Sequence, residues 1–173
     1  MRKAKNKVKT LLLKGKAVSV AILSKLESRV KALKEDGIVP KLAAILVGND
    51  PASQVYVRNK ARAFEQLNCR SQTCKLEEEA DEEEVLALID TFNQDQDVHG
   101  ILVQLPLPKH LDSKKILHQV SPAKDVDGFH PQNLGLLLEG NPNFIPCTPN
   151  GILEILKYYN ILVSGRHAVI VGR

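Results

Sequence analysis

Two kinds of hydrophobic pattern alternate along the chain. Val18, Ile22, Leu26, Val30 and Leu33 recur every three or four positions, with Lys25, Arg29, Lys31 and Lys34 between them. That spacing predicts an amphipathic helix, and Gly37 follows as a stop signal. Residues 42–47, LAAILV, form a short continuous apolar run. Such a run suits a strand covered on both faces, as in a parallel sheet. The turn Gly48-Asn49-Asp50-Pro51 comes next, with Asp50 as a helix N-cap and Pro51 at the first helical position. The helix it opens runs to about Leu67. Residues 69–76 read as a second strand. A third helix over 81–93 gathers Val85, Leu88, Ile89 and Phe92 on one face, and residues 99–105, HGILVQL, read as a third buried strand.

Helix and strand therefore alternate three times, which predicts βαβ units and a mainly parallel sheet in a three-layer α/β domain. Beyond it lie Pro106 and Pro108, a helix near 112–120, a loop-rich stretch over 121–150, and a helix over about 152–159. Residues 168–171, AVIV, read as a further buried strand, and Gly172 begins the turn after it. In open α/β sheets ligands bind outside the carboxyl ends of strands, so the chain stops where a nucleotide-binding loop can begin.

Charge and cysteine content narrow the classes. Net charge is +4, but Arg2, Lys3, Lys5, Lys7 and Lys9 supply +5 with no acid among them, leaving −1 elsewhere. The basic character belongs to a terminal tail, not to a folded face that would grip nucleic acid. With no Trp in the chain, stacking platforms for single strands are disfavoured as well. The tail is Lys-rich and has no Ser before Ser19, which only weakly resembles an import signal. No apolar stretch approaches membrane-spanning length. Three cysteines, an odd count, point to a reducing compartment, and a cytoplasmic location is expected.

Three places carry candidate chemistry. Tyr56 and Lys60 stand at i and i+4 in YVRNK and share a helical face near the cleft. Together they suit proton transfer provided the amine is partly neutral; a surface Lys lying along a Tyr is the plainer reading. Gln104 closes the third strand, where it meets either a ligand or loop backbone. Asp125 and Asp127 sit in PAKDVDGFHP. In an extended segment they face one side, yet no further ligands converge with them or with His130, so a metal is not expected. An Asp accepting a ligand's N–H groups is the better functional reading. The run Glu77-Glu78-Glu79 and Asp81 to Glu84 is explained by a solvated helix start.

Six blocks in order, LLLKGKAV, VGNDPASQVYVRNKARA, GILVQLPLP, PAKDVDGFHPQNLGLLLEG, PCTPNGILEIL and HAVIVGR, resemble the bifunctional methylenetetrahydrofolate dehydrogenase/methenyltetrahydrofolate cyclohydrolase family, FolD in bacteria. The likeness starts at about residue 11. It departs at Lys14, where the family usually has Asp, and at the end, where family members continue through a complete dinucleotide-binding domain. The resemblance thus implies a basic tail over 1–10, a folate-binding catalytic domain over 11–150, and a linking helix with the first strand of a truncated Rossmann-like domain over 151–173.

It also implies an activity and roles. The family oxidises 5,10-methylenetetrahydrofolate with NADP and hydrolyses the methenyl product to 10-formyltetrahydrofolate. Lys60 would assist hydrolysis by proton transfer, with Gln104 hydrogen-bonding and orienting it. Tyr56 would contact the folate, Asp127 would accept hydrogen bonds from the pterin, and Val103 and Leu105 would line the pocket. Gly172 and Arg173 would begin the phosphate-contacting loop. The expected partners are tetrahydrofolate derivatives and a second copy in a homodimer, without nucleic acid, membrane or metal. A non-catalytic folate-binding or dimerisation module is the alternative. A short-chain dehydrogenase, which also uses Tyr-x-x-x-Lys, is disfavoured because the first strand ends in GNDPAS, without a Gly-rich loop.

Overall fold

The computed structural model describes residues 10–171, so most of the basic tail, Gly172 and Arg173 lie outside the described residues. Strand β1 (Lys41–Val47) is the centre of a three-stranded parallel sheet. It pairs with β2 (Arg70–Leu76) on one side, in register from Lys41 opposite Arg70 to Val47 opposite Leu76. On its other side β3 (Gly100–Val103) pairs from Leu42 opposite Gly100 to Ile45 opposite Val103.

Every position of β1 from Leu42 to Val47 is buried, and the pleat sends alternate side chains to two cores. Ala43, Ile45 and Val47 join Ile101 and Val103 beneath Val85, Ile89, Phe92 and Ile116. Leu42, Ala44 and Leu102 meet Val57 and Phe64 on the opposite face. Helices α3 (Glu82–Gln94) and α4 (Ser113–Gln119) therefore form one outer layer and α2 (Pro51–Gln66) the other. This is the α/β layering expected from the continuous apolar run.

The helix starts follow local chemistry. Asp50 accepts from Ser53 N at 2.7 Å, with Pro51 in the first turn. Asp81 caps α3 through Glu84 N, and Asp112 caps α4 through Lys114 N and Lys115 N. The acidic run is not wholly solvated: Glu82 pairs with Lys115 and accepts from Asp112 N, tying α3 to α4. Helix α1 (Gly15–Glu35) ends before Gly37, whose φ of +80° suits glycine. It buries Val18 and Val30, while Leu33 of the predicted stripe stays exposed. Its neighbour is α6 (Cys147–Tyr158). There the Tyr159 hydroxyl accepts from Lys14 N at 3.1 Å and donates to Lys14 O at 3.2 Å.

Three segments differ from the pattern reading. The stretch over 121–150 contains a helix, α5 (Pro131–Leu138), started by His130, whose Nδ1 accepts from Gln132 N at 3.1 Å, with Pro131 in the first turn. Helix α6 begins at Cys147, five residues before the apolar spacing announces it, because Pro146 precedes a turn with no apolar face to read. Residues 168–171 form no strand, and Val169, Ile170 and Val171 are exposed. No strand among the described residues pairs with them, and an unpaired strand has no ladder to hold it.

Gly100 tests how tightly the layers close. A Cβ there would lie 2.5 Å from Val126 Cγ1. Gly100→Ala is expected to lower stability by about 1–3 kcal/mol, as overpacked sites do, read as a lower urea midpoint at unchanged slope. A midpoint equal to the parent's would show that Val126 yields freely. Acid provides a second test. Asp50, Glu82 and Asp95 are each held below their ordinary pKa: Asp50 mainly by its hydrogen bonds with Ser53, Glu82 by Lys115, and Asp95 by Asp97 N and then Lys41. Groups depressed on folding add stability that is complete above the ordinary carboxylate range and is lost as pH falls through the folded values. The melting temperature is therefore expected to hold above about pH 5 and fall below about pH 4. Asp95→Asn should flatten part of that fall.

Candidate active site

The carboxyl ends of β1 and β3 face one cleft. Helix α2 leaves β1 through Gly48, at φ +80°, and its first turn is bolted to the exit of β3. Ser53, 1% exposed, reaches the Leu105 carbonyl with Oγ at 3.5 Å, and Gln104 Nε2 donates to the same carbonyl at 2.7 Å. With Val57 turned into the core, Tyr56 and Lys60 fall on the cleft side of α2. Tyr56 is 59% exposed, an open wall of the cleft and not a core aromatic.

The cleft holds about 370 Å³, the scale of a small-molecule site. Tyr56, Lys60, Val103, Gln104, Leu105 and Asp127 all line it. Phe129 and the run Pro146 to Pro149 complete the wall and were not singled out by the residue patterns. PCTP was legible only as one block of the resemblance. Gly172 and Arg173 lie outside the described residues. Among the described residues no cluster of His, Cys, Asp and Glu is arranged to hold a metal ion, and no helix is long and apolar enough to cross a membrane.

Two details differ from expectation. Gln104 makes no hydrogen bond to Lys60 among the described residues; its amide is drawn to its neighbour's carbonyl, and Oε1 is left buried without a partner. A buried acceptor without a donor is costly, so this oxygen is a ready acceptor for an N–H or O–H entering the cleft. Asp125 and Asp127 do not face one side either. Their segment turns, with Gly128 N donating to Asp125 O at 3.2 Å and Gly128 at φ +68°. Asp125 is buried, 5% exposed, while Asp127 lines the cleft.

Cys147 opens α6 beside Asp127, its Sγ donating to Asp127 Oδ1 at 3.5 Å. Although the residue reaches solvent at the rim, desolvation by the walls pushes its thiol pKa up. The Asp127 charge and hydrogen bond push it further, against an opposing pull from Lys60. Cys147 therefore stays a thiol at neutral pH. Iodoacetamide is expected to modify it more slowly than an unperturbed thiol at pH 7.5, with the rate rising steeply above about pH 9. Asp127→Asn removes the neighbouring charge and should speed modification at fixed pH. Peptide mass spectrometry separates it from Cys69 and Cys74, and an unchanged rate would break the Cys147–Asp127 link.

The comparisons with known proteins agree with this architecture. Residues 13–127 match the family described as "Tetrahydrofolate dehydrogenase/cyclohydrolase, catalytic domain". The chain is 53% identical over 165 residues to the bifunctional protein FolD of Streptococcus pyogenes, covering 95% of this chain and 58% of that protein. Among solved structures, the bifunctional FolD enzyme of Campylobacter jejuni superposes with a TM-score of 0.84 at 49% identity, over 87% of this chain and 54% of that one. The Trypanosoma brucei methylenetetrahydrofolate dehydrogenase-cyclohydrolase, solved with NADP cofactor and inhibitor, gives a TM-score of 0.86 at 32% identity, over 90% and 54%. The chain thus spans little more than half the length of these relatives. With the family match covering most of the described sheet and its helices, the chain belongs to the tetrahydrofolate dehydrogenase/cyclohydrolase family.

Proposed function

We propose that this chain carries the folate-binding and proton-transfer part of an enzyme of one-carbon folate metabolism. The whole protein would oxidise 5,10-methylenetetrahydrofolate and hydrolyse the methenyl product to 10-formyltetrahydrofolate. One observation supports the reading above all others: Tyr56 and Lys60 from helix α2, Gln104 from the exit of β3 and Asp127 from a separate turn line a single cleft. The proposal includes a division near residue 150 between the folate-binding part and the start of a second domain, and a homodimer of the whole protein. A cytoplasmic location is consistent with the three free thiols.

The residues supply the following chemistry. Asp127 accepts hydrogen bonds from the amino and ring N–H groups of the pterin, a charge-assisted contact that fixes the ring. Tyr56 flanks the folate at the open side. In hydrolysis, water adds to the cationic methenyl carbon and gives up a proton. The carbon's bond to one nitrogen then breaks as that nitrogen regains a proton, and the hydroxyl left on the carbon releases its own proton to solvent as the formyl C=O forms. Lys60 is the base that takes the proton from water and can return it to the departing nitrogen. Gln104 Oε1, without a partner at present, is free to accept from Lys60 or from that water.

NADP, the cofactor in the trypanosomal structure, is the hydride acceptor proposed for the whole protein. The described residues do not fit its phosphates: β1 leaves through GNDP and β3 through QLPLP, neither a Gly-rich cradle. No step above depends on it.

Binding and chemistry separate in a direct test. The chain is expected to bind a reduced folate in calorimetry, with Asp127→Ala weakening binding by about tenfold or more, the scale of a lost hydrogen bond to a charged group. Lys60→Met should leave affinity within about threefold while hydrolysis of methenyltetrahydrofolate falls to the uncatalysed rate. A chain that binds no reduced folate would sink the proposal. Equal losses of binding and hydrolysis in Lys60→Met would make Lys60 a binding residue only.

A further inference from the structure

Asp125 is unused by the chemistry above, yet it is a buried carboxylate one residue removed from the cleft. Its Oδ2 accepts from His130 N and from Asn133 Nδ2, each at 2.8 Å. No basic side chain forms an ion pair with it among the described residues. Asn133 is fully buried, and its amide nitrogen also donates to Pro122 O at 2.9 Å. Two acceptors at one end of the amide fix which way it points.

This places both ends of the turn that carries Asp127 under one residue. The Asp125 carbonyl accepts from Gly128 N and so closes the turn. The Asp125 carboxylate accepts from His130 N and so fixes the chain as it leaves. Upstream, Ile101 N donates to Lys124 O at 2.7 Å, seating the turn on β3. Lys124 Nζ caps the end of α3 through the carbonyls of Phe92, Asn93 and Asp95 at 2.7–2.9 Å. Downstream, Gly128 holds a φ of +68° that strains any other residue, and a Cβ there would lie a tight 3.3 Å from Phe144 O. Within this frame the Asp127 side chain is the one carboxylate delivered to the cleft.

We propose that Asp125, clamped by Asn133, is a positioning residue that holds Asp127 at the cleft. The proposal rests on the folate reading for its consequence in binding, but not for the placement itself. A carboxylate with two N–H donors on one oxygen is a strong, directional anchor. Its isosteric amide can still present one oxygen to both donors, so removal of the acceptor in Asp125→Ala is the decisive change.

Two readouts separate positioning from plain stability. In Asp125→Ala, reduced-folate affinity should fall about tenfold. Cys147 alkylation should accelerate toward the rate of Asp127→Asn, because the carboxylate beside the thiol is displaced. Both effects should vanish when Asp125→Ala is added to Asp127→Asn, since interacting residues are non-additive. Val85→Ala, in the distant core, should lower stability and move neither readout. Asn133→Ala removes one donor, keeps the carboxylate, and should act in the same direction if Asp125→Ala folds poorly. A folded Asp125→Ala with parental affinity and alkylation rate would overturn the proposal, as would effects that add fully to those of Asp127→Asn. If the parent chain binds no folate, the functional reading fails, and the alkylation cycle alone decides the positioning.

Discussion

A strand with no solvent face is the constraint on which the rest depends. From Leu42 to Val47, β1 alternates between two separate cores, so helices are required on both sides of the sheet. Helices on both sides require crossovers between parallel strands. Parallel strands bring their carboxyl ends to one edge, and the chain must leave β1 and β3 there. Gly48, Asp50 and Ser53 turn it into α2 on one side of that edge, and Gln104 and Leu105 turn it away on the other. The cleft is the space between those two exits. Its position follows from the burial of six residues that never touch it.

This explains which parts of the molecule can be read from sequence. Features set by near neighbours are legible: the apolar run of β1, the Asp50-Pro51 start of α2, and the Val85, Ile89 and Phe92 face of α3 all appear as patterns. Helix α5 is hidden because its cap is a histidine, whose acceptor role depends on tautomer and rotamer, and because its buried anchor is a polar Asn133. The segment 168–171 misleads because apolarity marks what can be buried, not what finds a partner. Asp125 and Asp127 separate because the backbone turns between them, which no alternation rule anticipates. The cleft's residue set was legible mainly through family blocks, since YVRNK or QLPLP alone is too short to carry a site. The partners of Gln104 and Cys147 needed coordinates.

The electrostatics of the cleft are a balance of one cation against one anion. Lys60 and Asp127 both line it, and Cys147 senses both, with its proton held by Asp127 and its thiolate favoured by Lys60. A ligand carrying positive charge would be drawn to the carboxylate side of this space and one carrying negative charge to the amine side. Opposed charges at the two ends therefore orient a ligand whose own charge is uneven, beyond what shape alone provides. Asp127 can serve that purpose only if it is kept from collapsing onto Lys60. The turn's anchoring in β3, α3 and α5 supplies the restraint.

The walls of the cleft are unequal in stability. Tyr56, Lys60, Val103 and Gln104 project from elements whose neighbours, Ser53, Val57, Ile101 and Leu102, are buried. Pro146, Cys147, Thr148 and Pro149 sit at the start of α6, a helix with no buried residue. Its described packing is against α1, which itself buries only Val18 and Val30. Few buried contacts mean a low free energy of local opening. Among the described residues, the groups that must be aimed therefore project from the buried frame, and the start of α6 supplies the facing wall. Ile152 and Leu153 on α6 are 54% and 44% exposed. Any surface that buried them would stabilise α6, and with it the wall that carries Cys147, through packing alone and with no contact to Lys60 or Asp127.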